Sequence, residues 1–243
     1  MWGDLWEELD MIKPPYRVSI VGGGGKTTTL HRLVDSAAST GRRIVFGTTT
    51  HIQRPAHVPV LDGRDPAAVL AWLDAGRPVC LGLPDPQNGK KLISPGDEIW
   101  AAAAQWADGI VVEADGAKML PVKVPAGHEP VLLPGEGYVL AVAGLCALGK
   151  PLSQICFRSE LAARLLGIPE EEPLSPEGLA RILVSPQGQG KGVVAVERYR
   201  IILNQRDIAP HKEALAVADW IHHFSPQVQV FLASMAGEEI ERV

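Results

Sequence analysis

The sequence predicts an α/β protein, a three-layer sandwich in which helices cover both faces of a mostly parallel β-sheet. Two observations support this fold class. Apolar, β-branched runs recur along the chain, and most are continuous rather than alternating, as is typical of strands buried on both faces of a parallel sheet. Stretches with helical periodicity lie between several of these runs, and this alternation indicates layers of helices and strands.

The predicted elements follow one another in a regular order. The strands are 17–21, 43–48, 78–83, 109–115, 138–144, 198–204 and 228–234. The helices are 26–39, 65–75, 97–107, 158–166, 176–183 and 209–223. Ser94 and Ser175 each precede a proline and then an acidic residue, so we expect them to be the N-cap residues of the helices that follow.

The chain is expected to form a single domain over residues 1–243. Residues 1–16 are an N-terminal extension before the first strand, and they lack the positive start and apolar centre of a signal peptide. Two segments rich in glycine and proline, 116–137 and 185–192, are the candidate substrate or partner loops, because functional residues are common on such loops.

Composition and charge exclude several classes of function. A formal net charge of −5, with 28 acidic and 23 basic residues and no basic stripe, argues against a nucleic-acid partner. The most apolar window, 138–149, is too short to span a bilayer, so we expect no membrane association. The three cysteines form no C-x-x-C pair, which favours a reduced, cytoplasmic protein without disulfides.

The most informative stretch is VSIVGGGGKTTT, residues 18–29, in which four glycines connect a predicted strand to a predicted helix. A loop without side chains lets successive backbone N–H groups point inward, and the helix N-terminus that follows favours an anion such as phosphate. We expect the Lys26 ammonium to contact the terminal phosphates of a nucleotide and the Thr27 hydroxyl to bind Mg²⁺. The predicted nucleotide-binding residues of this loop are Gly22, Gly23, Gly24, Gly25, Lys26, Thr27 and Thr28.

The loop departs from the full Walker A pattern, G-x-x-x-x-G-K-[ST], because Ile20 stands where the first glycine belongs. The remaining pattern, G-x-x-G-K-T from Gly22 to Thr27, resembles the short phosphate loop of the Mur ligases. It predicts a P-loop NTPase-like fold, with ATP or GTP and Mg²⁺ as cofactors. The alternative is a flexible glycine turn with an unrelated lysine.

Two acidic residues end the predicted strand at 109–115. Glu113 and Asp115 are two residues apart, so their side chains project to the same side of an extended chain. In phosphate-loop proteins an acid at this place binds Mg²⁺ or positions the attacking water. We therefore predict Lys26, Glu113 and Asp115 as catalytic residues, with Thr27 and Asp115 holding the metal. The alternative is a solvated strand end with two unrelated acids.

Hydroxyl groups end the second predicted strand, in the sequence VFGTTTHI. Threonines at the carboxyl end of a strand are able to coordinate Mg²⁺ or contact the γ-phosphate, and they are equally able to fill a strand end as β-branched residues. We leave both readings of Thr48, Thr49 and Thr50 open. Thr49 and His51 are candidate substrate or partner residues.

The sequence ILNQRD at 201–207 ends another strand, and Asn204 and Asp207 match the outer letters of the N-K-x-D guanine-recognition pattern. An aspartate there accepts hydrogen bonds that guanine offers and adenine does not. Gln205 replaces the usual lysine. The alternative is that Asp207 caps the helix that begins near Pro210, so the sequence leaves ATP and GTP open.

Longer stretches resemble a known family. The segments VGGGGKTT, TTTHI, VVEADGAKMLPVKVPAGHEPV, LGKPLSQICFR and ILNQRD, in this order and at these spacings, resemble the YqeC-like proteins, described as accessory proteins of selenium-dependent molybdenum hydroxylases. The resemblance implies a phosphate-loop fold and a role in maturing such a hydroxylase, with the molybdenum cofactor or the apo-hydroxylase as partner. It also implies that four further residues are substrate or partner contacts: Lys118, Lys123, His128 and Glu129.

Three hypotheses on function follow. The first is a Mg²⁺-dependent nucleoside triphosphatase whose turnover drives maturation of the hydroxylase. The second is an ATP-dependent ligase of the Mur-like type, in which ATP activates a carboxylate for attack by an amine. The third is a carrier or chaperone that uses the nucleotide as a switch without significant catalysis. The first is the hypothesis that we adopt.

Overall fold

The computed structural model describes residues 4–237 and 239–243, and residues 1–3 of the predicted N-terminal extension lie outside the described residues. The strands are β1 (Tyr16–Gly22), β2 (Ile44–Thr48), β3 (His51–Gln53), β4 (Val60–Leu61), β5 (Val79–Leu81), β6 (Leu83–Asp85), β7 (Asn88–Ile93), β8 (Gly109–Glu113), β9 (Val122–Lys123), β10 (Tyr138–Gly144), β11 (Cys156–Phe157), β12 (Tyr199–Asn204), β13 (Gln229–Ser234) and β14 (Glu239–Arg242). The helices are α1 (Leu5–Glu8), α2 (Lys26–Ser39), α3 (Pro66–Asp74), α4 (Asp97–Ala103), α5 (Leu152–Ile155), α6 (Ser159–Leu166), α7 (Pro176–Val184) and α8 (His211–Phe224).

Within the described residues, nine strands form one sheet in the order β14-β13-β12-β10-β1-β8-β2-β5-β4. The pairs β1 with β8 and β10 with β12 are parallel, whereas β14 runs antiparallel to β13. Helices such as α3 and α8 pack against the strands. These features confirm the predicted α/β class with a large, mostly parallel sheet. Every residue of β2, β8 and β10 is buried, which agrees with their continuous apolar sequences.

The chain divides into two compact units. The first contains the described residues up to Ile20, together with Thr27–Gly116 and Val131–Tyr138. The N-terminal extension packs in this unit through Trp6, which is buried and whose Nε1 donates to the Leu33 carbonyl at 3.0 Å. Helices α3 and α4 cover strands of the sheet here through a core of Val45, Val69, Leu73, Val79, Leu81, Trp100, Ala103, Ile110, Val112 and Leu133.

The second unit contains Val21–Lys26, Ala117–Pro130 and Val139–Val243. Helix α7 packs against α8, and both bury the apolar stripe that their sequences predicted. A separate two-stranded parallel sheet pairs β9 with β11, which places Lys123 opposite Phe157. The single-domain assignment stays a prediction.

The structure corrects one predicted helix N-cap. Ser175 caps α7 as predicted, and its hydroxyl accepts a hydrogen bond from the Gly178 N–H. The prediction for Ser94 was wrong, because α4 begins at Asp97 with Gly96 as its N-cap. The Ser94 hydroxyl instead accepts from the Gly96 N–H and from Trp100 Nε1, both at 3.2 Å, so it stabilises the turn before the helix.

The sequence also missed a small sheet. Strands β3, β7 and β6 form an antiparallel three-stranded sheet in the first unit. The most polar of these strands, β7, has the sequence NGKKLI with Leu92 as its buried residue, so its apolar pattern is too weak to predict a strand. No helix in the described part of the chain is long and apolar enough to cross a membrane.

Candidate functional site

The glycine loop, Gly22–Gly25, has a backbone that other residues cannot adopt easily. Gly22, Gly24 and Gly25 have φ angles of 98°, 67° and 129°. A Cβ atom at Gly22 would overlap the carbonyl oxygen of Val142, and one at Gly24 would overlap the backbone of Gly144. The glycines are therefore required by the packing of the loop itself.

Hydrogen bonds within the second unit fix the loop. The Gly23 N–H donates to the Val142 carbonyl at 2.9 Å, and the Gly24 N–H donates to the Leu120 carbonyl at 3.1 Å. The Asn204 side chain holds the loop from another strand end, because its Nδ2 donates to the Gly24 carbonyl at 2.7 Å. Asn204 Oδ1 accepts from the Met235 N–H at 2.9 Å, so the orientation of the amide is defined. Asn204 thus contacts the predicted phosphate loop.

The Lys26 side chain folds back over the loop that precedes it. Its Nζ donates to the Gly22 carbonyl at 2.6 Å, and the residue is 6% exposed. Thr27 and Thr28, the next two residues of α2, are exposed. The structure therefore holds the ammonium group of Lys26 beside the glycine loop.

In the first unit, the Thr27 hydroxyl donates to Glu113 Oε1 at 2.6 Å. Glu113 is the last residue of β8 and lies opposite Ile20 of β1 in the parallel register, so its side chain stands at the strand end. Our prediction paired Thr27 with Asp115 as the metal ligands, whereas the hydrogen bond joins Thr27 to Glu113. Asp115 is fully buried two residues further along the chain.

The oxygen atoms of Thr27 and Glu113 fit Mg²⁺, which prefers hard oxygen ligands. Among residues 4–237 and 239–243, no group of three or more His, Cys, Asp and Glu side chains forms a metal cage. Mg²⁺ at phosphate sites usually keeps several waters and takes one or two protein ligands together with phosphate oxygens. The donor set is therefore suited to a metal that arrives with a phosphate.

The hydroxyls of Thr48, which ends β2, and of Thr49, which follows it, are hydrogen-bonded to the backbone. Thr48 Oγ1 donates to the Glu113 carbonyl at 2.9 Å and accepts from the Thr50 N–H at 2.9 Å. Thr49 Oγ1 donates to the Val131 carbonyl. These contacts support the reading in which the threonines shape the strand end. His51 lies in β3 and is exposed.

Asp207 is exposed, and one of its two predicted roles was wrong. Helix α8 begins at His211 with Pro210 as its N-cap and no side-chain cap, so Asp207 does not cap it. Reading of a guanine base by Asp207 stays a prediction.

Three cationic side chains lie around Phe157 in the second unit, and Glu129 pairs with two of them. We call these five residues the Phe157 cluster: Lys118, Lys123, Glu129, Phe157 and Arg158. Lys123 Nζ lies 2.9 Å from Glu129 Oε2, and Arg158 donates to the same oxygen at 2.6 Å. Three cations lie within 6 Å of the ring centroid. Three of the four residues that the family resemblance suggested are thus brought together.

The carboxyl group of Glu129 is ionised in this setting. Burial opposes ionisation, but the hydrogen bond and charge of Lys123, the Ala126 N–H and the charge of Arg158 outweigh it. Together they hold the pKa of the Glu129 carboxyl below its usual value. His128, the fourth suggested residue, is exposed beside Glu129.

The two predicted loops meet in the second unit. Lys191 Nζ donates to the carbonyls of Ala126 and Gly127 at 2.7 and 2.8 Å, and Gln189 Nε2 donates to the Lys123 carbonyl at 2.5 Å. Gln189 and Lys191 belong to the candidate loop 185–192, but sequence reasoning gave no reason for Phe157 or Arg158 to lie beside Lys123, because they are distant along the chain.

Comparison with known proteins supports the family resemblance. A sequence model of the family described as YqeC protein matches residues 18–160, which is more than half of the chain. A protein of Escherichia coli (strain K12) with the name "Uncharacterized protein YqeC" is 33% identical over 190 residues, which cover 76% of this chain and 74% of that protein. The matched residues 18–160 include both the glycine loop and the Phe157 cluster.

Proposed function

We propose a nucleotide-dependent function for this chain, which belongs to the YqeC family. The chain binds ATP or GTP with Mg²⁺ at Gly22–Thr27 and hydrolyses it. The hydrolysis serves an accessory step in the maturation of a molybdenum hydroxylase or its cofactor. The site residues support the nucleotide chemistry, and the resemblance to the YqeC-like proteins supports the accessory role.

One observation carries the proposal. The hydroxyl of Thr27, the residue directly after Lys26, donates a hydrogen bond at 2.6 Å to Oε1 of Glu113, which ends a parallel strand. In phosphate-loop enzymes these two groups hold the magnesium ion. A flexible glycine turn with an unrelated lysine gives no reason for this pairing. Lys26, held at the Gly22 carbonyl, supports the same reading.

The proposed roles follow from the chemistry of each group. Lys26 exchanges the Gly22 carbonyl for a phosphate oxygen and stabilises negative charge on the transferred phosphoryl group. Thr27 and Glu113 would hold Mg²⁺, and buried Asp115 would be the second acidic residue of the site. Bound Mg²⁺ would neutralise charge on the β- and γ-phosphates. Glu113 orients the attacking water through its carboxylate.

Product analysis tests this function. The purified chain is incubated with ATP or GTP and Mg²⁺, with and without an apo-hydroxylase. We expect release of free phosphate, which rises when the partner is present. A new covalent product would instead favour the Mur-like ligase, and tight binding without turnover would favour the nucleotide switch.

Variants test whether phosphate release depends on the proposed site. Lys26→Ala is expected to lower phosphate release by about 100-fold or more, because it removes a preorganised cation from the transition state. Lys212→Ala is the matched control, since it removes an exposed lysine from α8. Equal phosphate release by wild type and Lys26→Ala would refute the proposed role of the loop.

A further inference from the structure

The Phe157 cluster holds more positive than negative charge. Lys118, Lys123 and Arg158 surround one ring, with distances to its centroid of 4.9, 5.7 and 4.4 Å, and Glu129 is the carboxylate in contact with Lys123 and Arg158. This excess is opposite in sign to the net charge of the chain, −5. A local excess of cations in an acidic protein focuses a positive potential that attracts anions.

The carboxylate leaves much of this charge available. Lys123, Arg158 and the Ala126 N–H all point to the same oxygen of Glu129, Oε2. Lys118 is exposed, and among residues 4–237 and 239–243 it makes no ion pair. The Arg158 side chain is 19% exposed, and its Nη1 donates to Glu129. Lys118 and Arg158 therefore present donors to solvent beside an aromatic ring.

Backbone strain is concentrated at the same place. Five described residues other than glycine have positive φ angles, and three of them belong to or adjoin the cluster: Lys118 (49°), Met119 (63°) and Arg158 (65°). Such conformations carry a cost in free energy and tend to persist at ligand sites, where they orient side chains. The strain therefore points to a function for the two cations beyond filling space.

A buried amide adds an independent observation. Gln189 is 2% exposed, and its Nε2 donates to the Lys123 carbonyl. Its Oε1 is buried and accepts no hydrogen bond from the described residues. A buried acceptor without a donor is unfavourable, and this one lies in the loop whose Gln189 amide is hydrogen-bonded to the backbone of Lys123.

We propose that the Phe157 cluster is a second anion-binding site, which takes the phosphate or carboxylate group of a ligand other than the nucleotide. Lys118 and Arg158 bind the oxyanion directly. Lys123 and Glu129 are positioning residues, since the buried pair holds Arg158 in place. The segment that carries Lys118 continues to Leu120, whose carbonyl accepts from the Gly24 N–H, so ligand and loop are connected through a few residues of backbone.

Calorimetric titration without nucleotide tests this site. Wild type, Lys118→Met and Lys212→Met are titrated with inorganic phosphate and, separately, with malonate at low ionic strength, where screening is weak. Methionine keeps the length of the side chain and removes its charge. We expect Lys118→Met to weaken binding by about tenfold, the effect of losing one charged hydrogen bond, and Lys212→Met to bind like wild type.

The outcomes separate the two anion classes and the two sites. Binding of phosphate alone assigns a phosphate-bearing ligand, and binding of malonate assigns a carboxylate; both support the proposal when Lys118→Met weakens the binding. If wild type binds neither anion, or if Lys118→Met binds as tightly as wild type, the proposal is wrong. Phosphate bound only at the glycine loop would be lost in Lys26→Ala and unchanged in Lys118→Met. Because this titration contains no nucleotide, a negative result would contradict the second anion site and would not contradict nucleotide binding at the glycine loop.

Discussion

Lys26, which follows the glycine loop, and Lys123 of the Phe157 cluster are both buried, but the two regions are built differently. The loop is one continuous segment, and the groups that meet its glycines are mainly backbone atoms and the Asn204 amide. The cluster takes side chains from separate segments and matches buried Lys123 with the carboxylate of Glu129. We therefore expect added side-chain volume to destabilise the glycine loop and removal of a charge to destabilise the Phe157 cluster.

The largest effect is expected from Glu129→Gln, which changes charge without changing shape. Lys123, whose side chain is fully buried, would lose its carboxylate partner. Removal of one partner from a buried ion pair typically costs about 3–5 kcal/mol, and we expect a loss of about 4 kcal/mol in the free energy of unfolding, measured by urea denaturation. Glu136→Gln, on an exposed residue, is the control, and equal stability of the two variants would contradict the account.

Gly24→Ala tests the loop by adding volume without charge. The new Cβ would overlap the backbone of Gly144, and the φ of 67° adds strain. Gly41→Ala is a matched control, because Gly41 has φ 76° but no atom within 4 Å of an added Cβ. We expect thermal or chemical unfolding to show a loss of about 3 kcal/mol for Gly24→Ala and about 1 kcal/mol for Gly41→Ala. Similar losses would mean that packing does not require the glycine.

Asn204→Asp sharpens the role of the amide that holds the loop. The variant keeps the acceptor for the Met235 N–H but sets an oxygen against the Gly24 carbonyl, where Nδ2 donates at 2.7 Å. We expect a loss of about 2 kcal/mol in the free energy of unfolding and weaker nucleotide binding. Asn88→Asp makes the same change at an exposed residue whose side-chain oxygen accepts from the Lys90 N–H. An equally large loss of stability in Asn88→Asp would contradict the proposed role of the Asn204 amide.

The smallest effect is a dependence on pH. The pKa of Glu129 lies below its usual 4.5 in the folded state, so the folded protein binds this proton more weakly than the unfolded chain. The stabilisation is therefore complete above pH 4.5 and is lost as the pH falls through the lower, folded-state pKa. We expect the difference in unfolding free energy between wild type and Glu129→Gln to narrow below pH 4.5. A difference that is constant with pH would contradict this.

The sequence predicted those features of the fold and the site that depend on residues close together in the chain. The strand before Gly22, the helix after Lys26 and the acids at the end of β8 are local patterns with a direct physical meaning. The bond from Thr27 to Glu113, rather than a pairing with Asp115, depends on the register of parallel strands. The sequence does not specify that register.

The Phe157 cluster was predicted in part and for a different reason. The family resemblance singled out Lys118, Lys123 and Glu129, but no periodicity or spacing connects them with Phe157. The pairing of β9 with β11 brings Phe157 opposite Lys123, and strands of two residues are too short to be recognised from an apolar pattern. Arg158 reaches Glu129 from a left-handed conformation that the sequence gives no reason to expect.

The central claim is that the glycine loop binds a nucleoside triphosphate, and one measurement tests it most directly. Wild type, Lys26→Ala and Lys212→Ala are titrated calorimetrically with non-hydrolysable analogues of ATP and GTP, with and without Mg²⁺. We predict Mg²⁺-dependent binding by wild type and Lys212→Ala and its loss in Lys26→Ala, with a preference for the GTP analogue if Asp207 reads the base. Binding of neither analogue by wild type, or equal binding by Lys26→Ala, would contradict the claim.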